Sequence, residues 1–196
     1  SLLRESVQLH LRSDVPFGAF LSGGVDSSTI VALMRPYLAE PVKTFSVGFE
    51  PAGNATDELR FARIVAKRFG TDHHEIVTTP RQFVDLAGTI IWHLDQPIAD
   101  QATIATYLVS KLAARHVKMV LTGEGGDELF AGYARYSAER LSPLFRYLPK
   151  PAKSLLLAAS DRLPGLRRPK VALYALCQSD EMRRLISWFP LFNNDM

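Results

Sequence analysis

The chain has 196 residues, with 23 Lys and Arg against 20 Asp and Glu and 47% apolar side chains. That length suits one α/β domain with a full core, and a net charge of +3 is too small to argue for nucleic acid. Twelve glycines and twelve prolines exclude collagen-like and disordered classes, the lone Cys177 excludes an intrachain disulfide framework and a structural zinc site, and no apolar run nears the ~18 residues of a membrane span. The start shows no charged-then-apolar leader and does not begin with Met, so the expectation is a cytoplasmic piece of a longer protein.

Residues 2–11 carry Leu2, Leu3, Val7, Leu9 and Leu11, a loose helical face that stops before Ser13 and Asp14. Val15 to Leu21 is short and apolar, as a strand buried on both faces is, and Ser22-Gly23-Gly24 breaks it. A helix is predicted from Ser27 to Arg35, stopped at Pro36, and a second strand from Val42 to Phe49. Thr56 is placed to cap a third helix, with Asp57 and Glu58 in its first turn, Phe61, Ile64, Val65 and Phe69 inward, and Gly70 at its end. His74 to Val77 reads as a third strand. Pro80 then sits at a helix start, and Phe83, Leu86, Ala87, Ile90, Ile91 and Leu94 follow at helical spacing. A further helix is predicted from Ala102 to His116, and a fourth strand from Lys118 to Leu121. Short buried strands alternating with helices predict a parallel sheet with helices on both faces. From Ser142 onward the reading is all helical, punctuated by prolines, so the chain divides into a core at 1–136 and a helical, incomplete continuation of the same domain at 137–196.

The loop Leu21-Ser22-Gly23-Gly24-Val25-Asp26-Ser27-Ser28 follows the first strand and opens a helix, where ligands of open α/β sheets bind. Gly23 and Gly24 let backbone N–H groups approach an anion, the serines add hydroxyls, and the helix N-terminus adds unpaired N–H groups and partial positive charge. Phosphate fits such a loop. No Lys-Ser/Thr closes it as in a Walker A loop, Phe20 stands where a nucleophile elbow needs glycine, and no G-x-G-x-x-G is present. The bland alternative is a Gly-Gly turn before a Ser-capped helix. Asp26 would repel polyphosphate unless a divalent cation bridged the two, and Mg²⁺ favours one or two carboxylates plus phosphates. A second carboxylate is therefore expected at another strand end, and Thr122-Gly123-Glu124-Gly125-Gly126-Asp127-Glu128 supplies one. Read by itself, that segment is equally an acidic surface turn with Asp127 capping a helix.

The first loop resembles the pyrophosphatase (PP) loop of ligases that release pyrophosphate from ATP. With Asp14-Val15-Pro16, Phe45-Ser46-Val47-Gly48-Phe49 and the run from Leu121 through Gly123-Glu124-Gly125-Gly126-Asp127-Glu128 to Tyr133, residues 2–136 resemble the synthetase domain of glutamine-dependent asparagine synthetases, truncated at both ends. The resemblance implies a PP-loop, adenine nucleotide alpha-hydrolase-like fold, and it implies that Leu21 and Val47 meet the adenosine of ATP through backbone groups. It further implies that Ser22, Gly23, Gly24, Ser27 and Ser28 hold pyrophosphate, that Thr122 and Gly123 meet the nucleotide from the fourth strand, and that Asp26 and Asp127 bind Mg²⁺. Glu124 matches the acidic residue tied to the β-aspartyl adenylate. The implied reaction activates the aspartate side-chain carboxylate with loss of pyrophosphate, and ammonia then displaces AMP to give asparagine. The family draws ammonia from a glutaminase domain with an N-terminal cysteine, which has no counterpart here. Cys177 reads as a small buried hydrophobe. Neither Lys153 nor Lys170 matches the family's catalytic lysine, so the chain by itself is expected to be inactive in amide synthesis.

Other features are set aside. His73-His74-Glu75 lacks zincin spacing because Thr78 stands where the second histidine would be, which leaves a strand-edge histidine pair. Trp92-His93 is expected at the core or its rim. Asp95 to Asp100 either lines the substrate pocket or is a loop with Asp100 capping the next helix. Arg146 to Lys170 holds seven Lys and Arg against Asp161 alone, and reads as a solvated helical face or a surface for other parts of the polypeptide. Trp188, Phe189, Leu191 and Phe192 leave apolar surface that favours aggregation or a homodimer. No aromatic-rich module supports nucleic-acid recognition, and no membrane role is expected. Two alternatives remain: an amidotransferase of the same family acting on a peptide, β-lactam or cell-surface carboxylate, and an inactive nucleotide-binding scaffold, against which intact Asp26, Glu124 and Asp127 speak.

Overall fold

Strand β1 (Phe17–Phe20) lies between β2 (Lys43–Phe49) and β4 (Met119–Leu121), with β3 (Asp72–Thr78) outside β2, and all pairs are parallel. The computed structural model describes residues 1–50, 59–96, 100, 102–161 and 167–188, and they fall into two compact units, Ser1–Glu124 and Gly125–Met196. Gly18 of β1 stands opposite Lys43 on one side and Val120 on the other, and Phe45 of β2 opposite His74 of β3. The first unit adds α1 (Leu2–His10), α2 (Val25–Met34) running into a 3₁₀ turn at Arg35–Tyr37, α3 (Leu59–Phe69), α4 (Pro80–Leu94) and α5 (Ala102–Ala113). Ala19, Leu21, Val31, Met34, Ala62 and Ala66 fill one face of the sheet beneath α1, α2 and α3, while Phe45, Val109, Ala113 and Ile90 with Ile104 and Leu108 fill the other beneath α4 and α5. This is the parallel sheet covered on both faces that the sequence predicts. The chain runs from β1 outward to β3 and returns to β4 on the far side, so the strand order reverses between β1 and β4, the place where open parallel sheets bind ligands.

Local chemistry sets the ends of the elements. Thr79 caps α4 in a reciprocal box with Gln82, Pro80 takes its first position, and Asp95 closes it with φ 58°. Gly70 ends α3 at φ +61°. The second unit holds α6 (Gly126–Phe130), α7 (Ala134–Glu139), α8 (Ser142–Arg146), α9 (Lys150–Asp161), α10 (Arg167–Cys177) and α11 (Glu181–Ser187). Helix α10 packs on α7, α8, α9 and α11 and buries Ala175, Leu176 and Cys177, whose thiol is pushed up by burial. Glu139 accepts from Arg184 Nε at 2.5 Å and Trp188 Nε1 at 2.9 Å, tying α7 to α11. Cys177 is thus the buried apolar residue that its sequence context suggests. No helix among the described residues is long and apolar enough to cross a membrane.

Several expectations need correction. α2 starts at Val25 rather than Ser27, so Asp26 and Ser27 lie in its first turn. β1 is shorter than Val15–Leu21, β3 longer than His74–Val77, and α5 ends at Ala113 rather than His116. On α3, Phe61 and Ile64 are 58% and 54% exposed while Leu59, Ala62 and Ala66 face inward. The reason is close approach: a Cβ on Gly23 would meet Ala62 N at 2.5 Å, so the loop presses on α3 at a small residue, and one on Gly48 would meet the Leu59 side chain at 2.6 Å, so that glycine makes the room Leu59 fills. Trp92 is 75% exposed rather than in the core, packing its ring edge-on to His93 at 4.9 Å. The proposed Thr56 cap, with Asp57 and Glu58, lies outside the described residues, as do Phe189, Leu191 and Phe192. The two-histidine segment does sit on the sheet edge: His73 bonds Thr44 Oγ1 at 2.8 Å and Glu75 Oε1 at 3.0 Å, and His74 stacks on His116 at 4.0 Å.

Candidate active site

The turn after β1 is held by its own serines. Leu21 N donates to Phe45 O at 2.9 Å, extending the ladder one residue, and buried Ser46 donates its hydroxyl to Leu21 O. Ser27 Oγ accepts from Ser22 N at 3.2 Å, lies 2.9 Å from Ser22 Oγ, and donates to Gly24 O at 3.3 Å. Gly23 adopts φ +80°, a conformation that glycine takes without strain. Helix α2 begins after Gly24 with no side-chain cap on its first turn, which leaves its leading N–H groups facing the loop. Ser28 Oγ is buried and has no hydrogen-bond partner among the described residues. A buried hydroxyl without a partner costs free energy unless something else satisfies it.

β4 delivers Gly123 to the same place. A Cβ on Gly123 would stand 2.7 Å from Ser27 N and 2.9 Å from the Asp26 carbonyl carbon, so only glycine lets the end of β4 rest on the first turn of α2. Ser22, Gly23, Gly24, Asp26, Ser27, Ser28 and Gly123 are therefore brought together, with Thr122 exposed beside them. Leu21 is 1% exposed, with its N–H and carbonyl engaged by Phe45 and Ser46, and Val47 is half-buried against the core. Asp26 is half-buried and has no ion-pair partner among the described residues.

Beyond the loop, α4, α5 and Glu124 enclose an open cavity of about 410 Å³. Ile90, Leu94 and Tyr107 form its apolar wall, and His93, Asp100, Thr103, Thr106 and Ser110 supply polar groups. Asp100 lines the cavity, and its Oδ1 accepts from Ala102 N at 2.9 Å, the cap at the start of α5 that the sequence suggests. Asp95 and Gln96 are not among the lining residues, and 97–99 lie outside the described residues. The hydroxyls of α5 escaped sequence reasoning. Their signal was present, because 103, 106 and 110 recur on one helical face.

In the second unit, Asp127 lies in the first turn of α6 and is half-buried. Glu128 accepts from the Tyr133 hydroxyl at 2.6 Å, which holds its carboxyl below the usual range, and Arg135 stacks 3.9 Å over the Tyr133 ring.

Residues 1–195 match the pattern of the family described as Asparagine synthase. The chain belongs to the asparagine synthase family. It is 40% identical over 173 residues to "Asparagine synthetase [glutamine-hydrolyzing] 1" of Bacillus subtilis, covering 88% of this chain and 27% of that protein. It is 42% identical over 164 residues to a putative glutamine-hydrolysing asparagine synthetase of Methanocaldococcus jannaschii, and 39% over 147 residues to asparagine synthetase B of Escherichia coli. The chain thus spans about a quarter of the length of the curated relatives it matches. Among solved structures, an ammonia-dependent NAD synthetase from Campylobacter jejuni superposes with a TM-score of 0.47 at 14% identity over 95% of this chain, a likeness too slight to bear on function.

For a member of the asparagine synthase family, the donor set suits a nucleotide. The partnerless Ser28 hydroxyl and the uncapped start of α2 would suit phosphate oxygens. In the first unit, Asp26 is a hard oxygen donor of the kind magnesium takes, with no cationic side-chain partner among the described residues. No cluster of three or more histidine, cysteine or acidic side chains there could form an all-protein metal cage, and Mg²⁺ commonly takes one or two carboxylates together with substrate phosphates.

Proposed function

We propose that this chain is the ATP-binding synthetase part of a glutamine-dependent asparagine synthetase. The observation that carries the reading is the Ser28 hydroxyl, buried without a partner beside the uncapped start of α2, where a phosphate oxygen would satisfy it. Ser22, Gly23, Gly24, Ser27 and Ser28 bind the pyrophosphate portion, Leu21 and Val47 meet the adenosine through backbone groups, and Thr122 and Gly123 flank it. Asp26 and Asp127 hold Mg²⁺, which when bound neutralises phosphate charge. Asp127 enters this set on the family resemblance alone. Glu124 and the hydroxyls of α5 face the cavity in which we place the acid substrate.

Two halves make up the reaction. An oxygen of the aspartate side-chain carboxylate attacks the α-phosphorus, the bond from that phosphorus to the β-phosphate bridge breaks, and pyrophosphate leaves with the electron pair. Ammonia then adds to the acyl carbon, AMP departs, and the surplus proton passes to a base, the role we assign to Glu124. Backbone N–H groups and hydroxyls aimed at the phosphates supply the electrostatic part of catalysis. Ammonia comes from glutamine through a glutaminase domain outside this chain. Cleavage at the α-phosphorus agrees with the loop's lack of the lysine that P-loop proteins direct at the β- and γ-phosphates.

The test is nucleotide product analysis with the whole protein, ATP, Mg²⁺ and ammonium across a panel of carboxylates. AMP and pyrophosphate with aspartate and not with bulkier acids supports the reading. A bulkier acid preferred over aspartate would make it a related amidotransferase, and ADP with phosphate would exclude this chemistry.

A further inference from the structure

We propose that Gly132 and the hydrogen bond between Tyr133 and Glu128 are positioning elements that aim the Asp127 carboxylate, an inference that rests on the magnesium reading of Asp127. After α6 the chain doubles back through Ala131, at φ 56°, and Gly132 N donates to Asp127 O at 2.9 Å. This return places the Gly132 Cα against the Asp127 side chain. A Cβ on Gly132 would overlap Asp127 Oδ1 and lie 3.0 Å from its Cγ and 3.2 Å from its Cα.

The glycine is not there for its backbone. Gly132 lies outside the left-handed region, so an L-residue could take its conformation. Gly125, at the other end of the same helix, is the opposite case: φ is +86° and a Cβ there would meet nothing within 4 Å. One glycine is required by the turn, and the other by the space the carboxylate occupies. A side chain at 132 would push mainly on the movable end of Asp127, so the expected consequence is a redirected carboxylate with little loss of fold. Tyr133 closes the same turn from the next position. Its hydroxyl donates to Glu128 Oε1 at 2.6 Å, and its ring carries Arg135 at 3.9 Å, which restrains the turn that abuts Asp127.

The experiment compares ATP binding with Mg²⁺ and with EDTA in the wild-type chain, Asp127→Asn, Gly132→Ala, Tyr133→Phe and the double variant Asp127→Asn/Gly132→Ala, alongside thermal melts. Removing partners that orient a metal ligand commonly weakens metal affinity by about 10–100-fold. Gly132→Ala should therefore lose about tenfold in MgATP affinity, Tyr133→Phe a smaller factor in the same direction, and neither should change binding in EDTA. The double variant should bind MgATP no more weakly than Asp127→Asn, because both changes remove one interaction. If Asp127→Asn weakens MgATP binding while Gly132→Ala and Tyr133→Phe match wild type, the positioning inference fails and the magnesium reading stands. An equal loss with and without Mg²⁺ would also overturn it, by showing a purely structural role. Unchanged MgATP binding in Asp127→Asn would overturn the magnesium reading and this inference together. Tyr133→Phe removes only a hydroxyl and keeps the test open should Gly132→Ala fold poorly.

Discussion

Replacing Gly23 with alanine separates two reasons for a glycine in the turn after β1, and Gly70 provides the control. Both have positive φ, +80° and +61°. At Gly70 a Cβ would meet nothing within 4 Å, so Gly70→Ala carries only left-handed strain of about 1–2 kcal/mol. A less flexible unfolded chain offsets about 0.4–1 kcal/mol of that, leaving a net loss of about 1 kcal/mol. At Gly23 the same strain is joined by contacts at 2.5 Å to Ala62 N, 2.6 Å to Phe61 Cβ and 2.7 Å to the Phe61 carbonyl carbon. These are atoms of the α3 backbone and its root, which cannot rotate away, so overpacking adds about 1–3 kcal/mol. Gly23→Ala should lose about 2–4 kcal/mol in all. For a domain of this size each kcal/mol moves Tm by about 2–4 °C, so the drops should be roughly 5–15 °C for Gly23→Ala and roughly 3 °C for Gly70→Ala. Circular dichroism melts read the difference, and nucleotide titration should show weaker ATP binding in Gly23→Ala alone. Equal Tm losses in the two variants would refute the claim that α3 presses on the loop.

Asp26→Asn should weaken MgATP binding and leave the melt unchanged, because the residue has no ion-pair partner to lose, and calorimetric titration with and without Mg²⁺ checks this. Glu139→Ala should destabilise the second unit by about 1–3 kcal/mol, since it strands the Arg184 guanidinium and the Trp188 indole together; Trp188 emission during urea unfolding reports it, and an unchanged midpoint would count against the tie. Stability should fall in two steps on acidification. Burial holds His73 below its ordinary 6.5, so as pH falls through that value the unfolded chain takes up a proton that the folded chain resists. Burial works to raise Glu75, but the hydrogen bonds and charge of Arg63, with His73, outweigh it and hold the carboxyl below its ordinary 4.5. Its contribution is therefore present above that pH and lost as pH falls through the folded value. Urea midpoints should drop between pH 7 and 5.5 and again below 4.5, with His73→Gln flattening the first step only; a midpoint that rises on acidification would contradict both assignments.

Much of this protein could be read from local order. Short β-branched and aromatic runs alternating with helical periodicity identify a parallel sheet covered on both faces, because a strand buried on both sides has to be apolar throughout. The turn after β1 was legible for a related reason: its glycines and serines are close together in sequence, and they build a single turn through backbone and hydroxyl groups. The start of α4 at Pro80 and the stop at Gly70 are likewise short-range, and each matched its expected place.

Tertiary structure decided whatever depends on which surface comes near. Periodicity turned Phe61 and Ile64 of α3 inward, yet the approach of Gly23 and Gly48 selected Ala62 and the neighbouring Leu59 for that face. The hydroxyls at 103, 106 and 110 became part of a cavity only once α4 and Glu124 stood opposite them. Gly123 reads as one more turn glycine until β4 is laid beside α2, nearly a hundred residues earlier in the chain. Then it is the residue whose missing Cβ lets the two loops touch. Sequence determines the order of elements and the chemistry each loop carries, because those follow from neighbours along the chain. Packing determines which of those groups meet, because exclusion of a single methyl group depends on distances that no local pattern encodes.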